Sequence, residues 1–143
     1  MSAYIPVELQ RRIRERFFNG CAYCRTAESL TGMTFEFEHI MPRSLGGETL
    51  FENLCFACPN CNRHKADRQM AVDQVTEQSV SLFHPQLQIW GEYFAWSDNG
   101  QKLVGLSPIG RATIAALRMN RSQLVWARGL WVKLGEHPPK WDG

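Results

Sequence analysis

Two Cys-x-x-Cys pairs in this sequence have the spacing of a metal site. They are Cys21 with Cys24, and Cys58 with Cys61. Thiolates are preferred ligands of Zn²⁺, and two intervening residues let both sulfurs of a pair reach one ion. Two such pairs complete a tetrahedral set of four ligands. The spacing therefore predicts a structural zinc site that joins the two ends of the segment between Cys24 and Cys58.

The segment enclosed by the pairs carries residue types that do catalytic chemistry. Glu38 directly precedes His39, and Asn62 follows the last cysteine. A carboxylate and an amide oxygen suit Mg²⁺ or Mn²⁺, and so few protein ligands leave positions open for water and phosphate oxygens. Histidine has a near-neutral reference pKa, so His39 is a natural base for an attacking water. With a metal to stabilise the charge on the phosphate, this set predicts a phosphodiester hydrolase.

Each of these residues alone has a structural explanation, because a Glu-His pair on a strand is more often structural than catalytic. Their combination with the cysteine spacing favours catalysis. The fifth cysteine, Cys55, is expected to be a small core residue rather than a further ligand. Cysteines paired in this way favour metal over disulfides, as in a reducing compartment.

Three elements are expected to position the enclosed residues. Residues 34–40 alternate apolar and polar side chains as a strand does, which places Glu36 and Glu38 on one face. A loop follows over about 42–52, and residues 54–57 are expected to form a second strand. A helix is then predicted from about Pro59 through Arg68.

An amphipathic helix is predicted over residues 6–18, before the first cysteine pair. After residue 68 the composition changes, and the last predicted helix has Leu124, Ala127, Trp131 and Leu134 as its core stripe. The elements predicted there are a loop over 69–79, a short strand over 80–83, a helix over 85–93, a hairpin turning at Asn99-Gly100, and helices over about 107–119 and 121–135.

The chain has 143 residues, which is the usual size of one domain, and 44% of them are hydrophobic. Its net charge of +2 does not by itself indicate nucleic acid. Arginine and lysine nevertheless cluster locally, either as solvated helix faces or as phosphate contacts. The clusters are Arg11, Arg12, Arg14 and Arg16; Arg63, Lys65 and Arg68; and Arg111, Arg118, Arg121 and Arg128.

The N-terminal residues reach these arginines without an apolar run. No stretch of the sequence approaches the ~18 apolar residues of a membrane span. We therefore expect a cytoplasmic protein without a membrane segment.

The combined pattern resembles the HNH endonuclease family in its four-cysteine form. The resemblance covers about Cys21 to Lys65. The matching residues are Cys21-x-x-Cys24, Glu38-His39-Ile40-x-Pro42-x-Ser44-x-Gly46-Gly47, Asn53-Leu54 and Cys58-x-x-Cys61-Asn62-x-x-Lys65. It implies a ββα-metal core and a nuclease that uses one catalytic divalent ion, Mg²⁺ or Mn²⁺.

The family's functional residues fall on named positions of this chain. The resemblance implies that His39 is the general base and that Glu38 and Asn62 bind the catalytic ion. Asn53 would brace the loop and so orient the histidine, and Lys65 would contact phosphate. Two positions depart from the family pattern. Glu38 is glutamate where the family more often has aspartate, and Asn62 is asparagine where the third letter of the name HNH stands for histidine. These departures bear on the preferred metal more than on activity.

DNA is the expected partner of such a domain. The sequence carries no recognition element with known base contacts, so it predicts no sequence preference. The expected nucleic-acid contacts are Arg43, Arg63, Lys65 and Arg68.

We predict an α+β protein with a zinc-clipped HNH core over residues 1–68 and an N-terminal helix within it. A C-terminal extension over 69–143, with a β-hairpin and two helices, is expected to pack on the core as one compact domain. Two other functions stay open. One is an inactive nucleic-acid-binding zinc module. The other is a nuclease directed by a protein partner that docks on the tryptophan-rich tail.

Overall fold

The computed structural model describes residues 4–141. The chain divides into two compact units. The first unit runs to Asp67 and includes His84–Leu87, and the second comprises Arg68–Phe83 and the chain from Gln88 onward. Helices and small antiparallel sheets occur together, which confirms the predicted α+β class. The division into an HNH core and an extension that form one domain stays a prediction.

The first unit begins with helix α1, Val7–Arg16. Its apolar stripe packs inward, and Ile13 is fully buried. On the opposite face Arg11 forms ion pairs with Glu8 and Glu15. Part of this basic cluster therefore stabilises the helix surface, which is one of the two roles that the sequence left open. A single turn of helix, α2, follows at Glu28–Thr31.

Two antiparallel strands come next, β1 at Glu36–His39 and β2 at Leu54–Ala57. Their register places Glu38 opposite Cys55. All four residues of β2 are buried, as a continuous apolar run predicts for a core strand. Helix α3, Pro59–Lys65, follows β2 directly. Both predicted strands are confirmed.

Helix α3 is shorter than predicted. It ends at Lys65 rather than Arg68, because Ala66 has φ +48° and ψ −128°, outside the helical region. The N–H of Ala66 still donates to the carbonyl oxygen of Asn62 at 3.0 Å. The loop predicted between the strands is present, with short 3₁₀ turns at Arg43–Leu45 and Phe51–Asn53.

The described residues of the second unit form two two-stranded antiparallel sheets, with helices between and after them in the chain. β3 pairs with β4, and β5 with β6. The elements are β3 (Met70–Val72), β4 (Ser79–Ser81), α4 (Trp90–Tyr93), β5 (Phe94–Trp96), β6 (Leu103–Gly105), α5 (Pro108–Ala116) and α6 (Ser122–Lys133).

The prediction of a loop over 69–79 is wrong in part, since β3 and the start of β4 lie within it. Asp73 holds the turn between these strands, because its carboxylate accepts the backbone N–H groups of Val75 and Thr76. Arg111 of α5 also donates to this carboxylate at 2.9 and 3.0 Å. The helix predicted over 85–93 is reduced to the four residues of α4.

The hairpin predicted around Asn99-Gly100 is confirmed as β5–β6, with Gly100 at φ +74°. The helix after Ser107 is present as α5, and the Ser107 hydroxyl accepts the N–H of Gly110 at 3.1 Å. The last predicted helix is present as α6.

The core of the second unit differs from the predicted stripe of α6. Leu124 is buried as expected, but Leu134, the residue after the last one of α6, is 71% exposed. Arg128 is fully buried instead and donates to the carbonyl oxygens of Gln101 and Met119. It therefore does not belong to a solvated basic face. Docking of a partner on the tryptophan-rich tail stays a prediction.

Within residues 4–141, no helix is both long enough and apolar enough to span a bilayer.

Candidate nuclease site and zinc cluster

The two cysteine pairs meet because the first pair is tied to β2. Ala22 donates its backbone N–H to the carbonyl oxygen of Phe56 at 2.7 Å, just before the second pair begins. The four Sγ atoms lie within 4.8 Å of one another and all four residues are buried. The predicted clustering of these cysteines is confirmed.

The cluster is compatible with zinc binding. Four sulfurs about 2.3 Å from a tetrahedral ion lie about 3.8 Å apart. The Sγ atoms of Cys24 and Cys58 are 3.8 Å apart. The Cys58 sulfur also accepts the backbone N–H of Cys61 at 3.4 Å, at the first turn of α3. Burial raises the pKa of the Cys21 thiol, and a bound cation would oppose that effect because it stabilises the thiolate.

Cys55 lies outside the four-sulfur cluster and is fully buried, as predicted for a small core residue. Its thiol donates to Oε2 of Glu38 at 3.3 Å across the paired strands. Burial raises the pKa of Cys55, with the Glu38 charge as the second cause, so this thiol stays protonated at neutral pH.

His39 is the last residue of β1 and is half-buried. Its Nε2 atom lies 2.9 Å from the hydroxyl oxygen of Thr49, in the loop between the strands. Arg43 also reaches this hydroxyl, with a 3.4 Å hydrogen bond. Burial and then the Arg43 charge lower the pKa of His39, so the imidazole is neutral at neutral pH. No sequence signal pointed to Thr49.

Asn53 holds the loop that follows His39. Its Oδ1 accepts the N–H of Met41 at 2.8 Å, and its Nδ2 donates to the carbonyl oxygens of Met41 and Glu48 at 3.1 and 2.9 Å. The loop passes so close at Gly47 that an added Cβ would lie 1.8 Å from the Met41 carbonyl oxygen. Only glycine fits there, which explains the second glycine of the motif.

Glu38 and Lys65 form a buried ion pair, with Oε1 and Nζ 3.3 Å apart. The Lys65 amine donates to the carbonyl oxygen of Ile40 at 2.9 Å and the side chain is 2% exposed. The prediction that Lys65 contacts phosphate is therefore corrected, because its amine faces the interior. Burial raises the pKa of Glu38 while Lys65 opposes that rise. Glu38 Oε1 is therefore held by the buried Lys65 ammonium group, and Oε2 by the Cys55 thiol.

Asn62 contacts a carboxylate that the sequence did not assign to the site. Its Nδ2 donates to Glu36, which lies two residues before Glu38 on β1. The strand alternation already placed both glutamates on one face, and that pattern was the available signal. These two described residues, Asn62 and Glu38, form no hydrogen bond with each other.

The other expected nucleic-acid contacts are exposed. Arg43 and Arg63 are surface residues of the first unit. Arg68 is exposed at the start of the second unit. These three arginines are accessible to a phosphate backbone, and Lys65 is not.

Comparison with known proteins supports the family resemblance. No curated protein and no solved structure matches the chain. Residues 21–68 match the family model described as HNH endonuclease. This segment contains both cysteine pairs, His39, Asn53 and Asn62. The chain therefore contains an HNH domain over residues 21–68.

Proposed function

We propose that this protein is a metal-dependent endonuclease that hydrolyses phosphodiester bonds of DNA. The observation that carries the proposal is the HNH match over residues 21–68, with His39 at the end of a strand inside it. In this proposal β1, β2 and α3 are the ββα-metal core. Residues 1–68 are the nuclease domain, and 69–143 are a C-terminal extension.

His39 is the proposed general base. A neutral imidazole has one nitrogen that accepts a proton, and the lowered pKa keeps His39 in this form at neutral pH. The Thr49 hydroxyl, 2.9 Å from Nε2, limits rotation of the ring. Asn53 fixes the backbone after His39 through both of its side-chain atoms. These contacts would hold the ring ready to take a proton from an attacking water.

Glu38 and Asn62 are the proposed ligands of one catalytic Mg²⁺ or Mn²⁺. The donor set fits such an ion, because a carboxylate and an amide oxygen are hard ligands. Oε1 of Glu38 faces the Lys65 amine at 3.3 Å, so the ion would bind this carboxylate beside that ammonium group. When bound, the ion would stabilise the charge that develops on the phosphate and the leaving oxygen. Lys65 would keep Glu38 ionised in its buried setting.

Zinc is proposed to have a structural role. Four cysteine ligands would complete a tetrahedral site and leave no open position for a substrate. Zinc would hold the Cys21–Cys24 turn against the start of α3, and so keep the segment between them folded.

DNA is the proposed substrate, bound in part through Arg43, Arg63 and Arg68. If these side chains neutralise phosphates, the affinity for DNA falls steeply as salt is raised. Arg63→Gln should reduce the slope of that dependence by about one unit. Lys65 is excluded from this set by its burial.

A plasmid cleavage assay tests the proposal. Zinc-loaded protein should nick or cut plasmid DNA with Mg²⁺ or Mn²⁺, and EDTA should stop the reaction. His39→Ala is the control for a contaminating nuclease. Salt-dependent binding of DNA without cleavage by the parent protein would instead support an inactive zinc module, for which the closed Glu38–Lys65 pair is the favouring observation.

A further inference from the structure

The face of β1 that carries Glu36 and Glu38 contacts one side of helix α3. Glu36 and Glu38 are two residues apart on a strand, so both side chains lie on the same face. Asn62 and Lys65 are three apart on a helix, so they share one side. Asn62 contacts Glu36, and Lys65 contacts Glu38. The strand and the helix thus meet through two parallel pairs of side chains.

The two pairs differ in exposure. Glu38 is 6% exposed and Lys65 is 2% exposed, whereas Glu36 is on the surface and Asn62 is half-buried. A surface carboxylate contributes little to folding through such a contact. The Glu36–Asn62 contact therefore contributes little to the free energy of unfolding. Its main effect is on the orientation of the Asn62 amide.

Glu36 decides which way the Asn62 amide points. A carboxylate only accepts hydrogen bonds, so it pairs with the amide nitrogen and not with the amide oxygen. Nδ2 of Asn62 donates to Glu36. Oδ1 lies on the other side of the amide carbon, and no described residue donates a hydrogen bond to it. The oxygen is thereby left available, and oxygen is the atom that Mg²⁺ or Mn²⁺ requires.

We propose that Glu36 is a positioning residue that fixes the Asn62 amide with its oxygen turned toward the catalytic divalent ion. Without Glu36 the amide can rotate and present either atom, which lowers the fraction of molecules ready to bind the ion. This inference rests on the proposed metal-dependent function, in which Asn62 is a ligand. It adds to the site a residue that neither the sequence motif nor the family match assigns.

The test is a double-mutant cycle of four zinc-loaded proteins. Each is titrated with Mn²⁺ in the absence of DNA, and the Mn²⁺ affinity is measured by electron paramagnetic resonance. The four proteins are the parent, Glu36→Gln, Asn62→Asp and the double variant. Glu36→Gln should weaken Mn²⁺ binding by about 10- to 100-fold, the usual cost of losing a group that orients a ligand. In the Asn62→Asp background the same change should not weaken binding, because a carboxylate presents an oxygen in either orientation.

A second exposed carboxylate serves as the control. Glu52→Gln removes the same charge from the first unit, and Glu52 is exposed and outside the proposed ligand set, so Mn²⁺ affinity should not change. Equal weakening by Glu36→Gln in both backgrounds would overturn the inference, since it would show a general charge effect or direct ligation. Unchanged affinity in Glu36→Gln, or no Mn²⁺ binding by the parent, would also overturn it.

Cleavage is measured in parallel and separates this inference from the proposed function. A parent protein that binds Mn²⁺ with the expected cycle but cuts no DNA would refute the nuclease proposal and support the role of Glu36. A parent that cuts DNA while the cycle shows no coupling would refute the role of Glu36 alone.

Discussion

Asn53 holds both backbone polar groups of Met41, accepting its N–H at 2.8 Å and donating to its carbonyl oxygen at 3.1 Å. The Asn53 side chain thus makes the two hydrogen bonds to Met41 that a neighbouring strand would otherwise make. The backbone carbonyl of Asn53 also accepts the N–H of Ile40 at 2.8 Å. The backbone of Asn53 fixes Ile40 and its side chain fixes Met41, so replacing the side chain should act on the histidine through Met41.

Asn53→Ala should lower cleavage less than loss of the histidine does. The base would remain, but the Met41 groups and the Glu48 carbonyl oxygen would lose their partner. Single-turnover rates on plasmid DNA measure this. The control is zinc content, which should stay at about one ion per chain because Asn53 lies outside the cysteine cluster. A rate equal to that of the parent would show that the loop needs no brace.

His39→Ala should lower the cleavage rate by about 10²- to 10⁴-fold, the usual contribution of a general base. Binding of DNA and the melting temperature should stay nearly unchanged, because the ring is neither buried core nor a phosphate anchor. The comparison is with Glu38→Ala and Asn62→Ala. If these two residues hold the ion, part of their defect should recover at raised Mn²⁺, whereas the defect of His39→Ala should not.

The sequence predicted the elements that local spacing determines better than it predicted the contacts between side chains. The cysteine cluster, both strands and the hairpin at Asn99-Gly100 follow from local spacing and turn chemistry. The side-chain partners do not, because they depend on tertiary packing. Nothing local shows that the Lys65 amine turns inward to the Ile40 carbonyl oxygen, or that Thr49 reaches His39.

The prediction failed most in the polar stretch 69–79. The turn between β3 and β4 is held by Asp73, which also accepts hydrogen bonds from Arg111, 38 residues away in the chain. A sequence pattern read over a few residues includes only one of these two partners, so it cannot predict their contact. For the same reason the sequence places Arg128 on the surface, whereas in the fold it donates to the carbonyl oxygens of Gln101 and Met119.

Cys58→Ser should sharply lower zinc content and the melting temperature, because structural zinc contributes directly to folding. Cys55→Ser is the matched control. It changes a buried cysteine outside the cluster and keeps a donor toward Glu38 Oε2, so zinc content should not change. Metal analysis of freshly purified proteins and thermal melts measure both effects. Equal zinc loss in the two variants would contradict the assignment of the ligands.

The acid side of the pH–rate profile should report His39. Cleavage needs the neutral ring, so the rate should rise with pH through the His39 pKa, which burial and Arg43 hold below its usual 6.5. Arg43→Gln removes a positive charge, which raises that pKa and moves the rise to higher pH. Arg63→Gln is the control, since Arg63 is not among the causes of the shift. Profiles at saturating DNA and metal that coincide for all three proteins would refute the assignment.

Ala66 adopts a backbone conformation that suits glycine. Its φ of +48° with ψ −128° places Cβ in a crowded arrangement that costs of order 1–3 kcal/mol in a residue with a side chain. Ala66→Gly should therefore raise the free energy of unfolding, by about 1 kcal/mol once the added freedom of the unfolded chain is subtracted. Urea unfolding of zinc-loaded protein measures the change.

The matched control for this prediction lies within the same helix. Arg63→Gly substitutes glycine at an exposed position in the interior of α3, where it should lower stability by about 1 kcal/mol. The two glycine substitutions should thus act in opposite directions although they are three residues apart. If both destabilised the protein, Ala66 would not be strained, and the end of α3 at Lys65 would need another explanation.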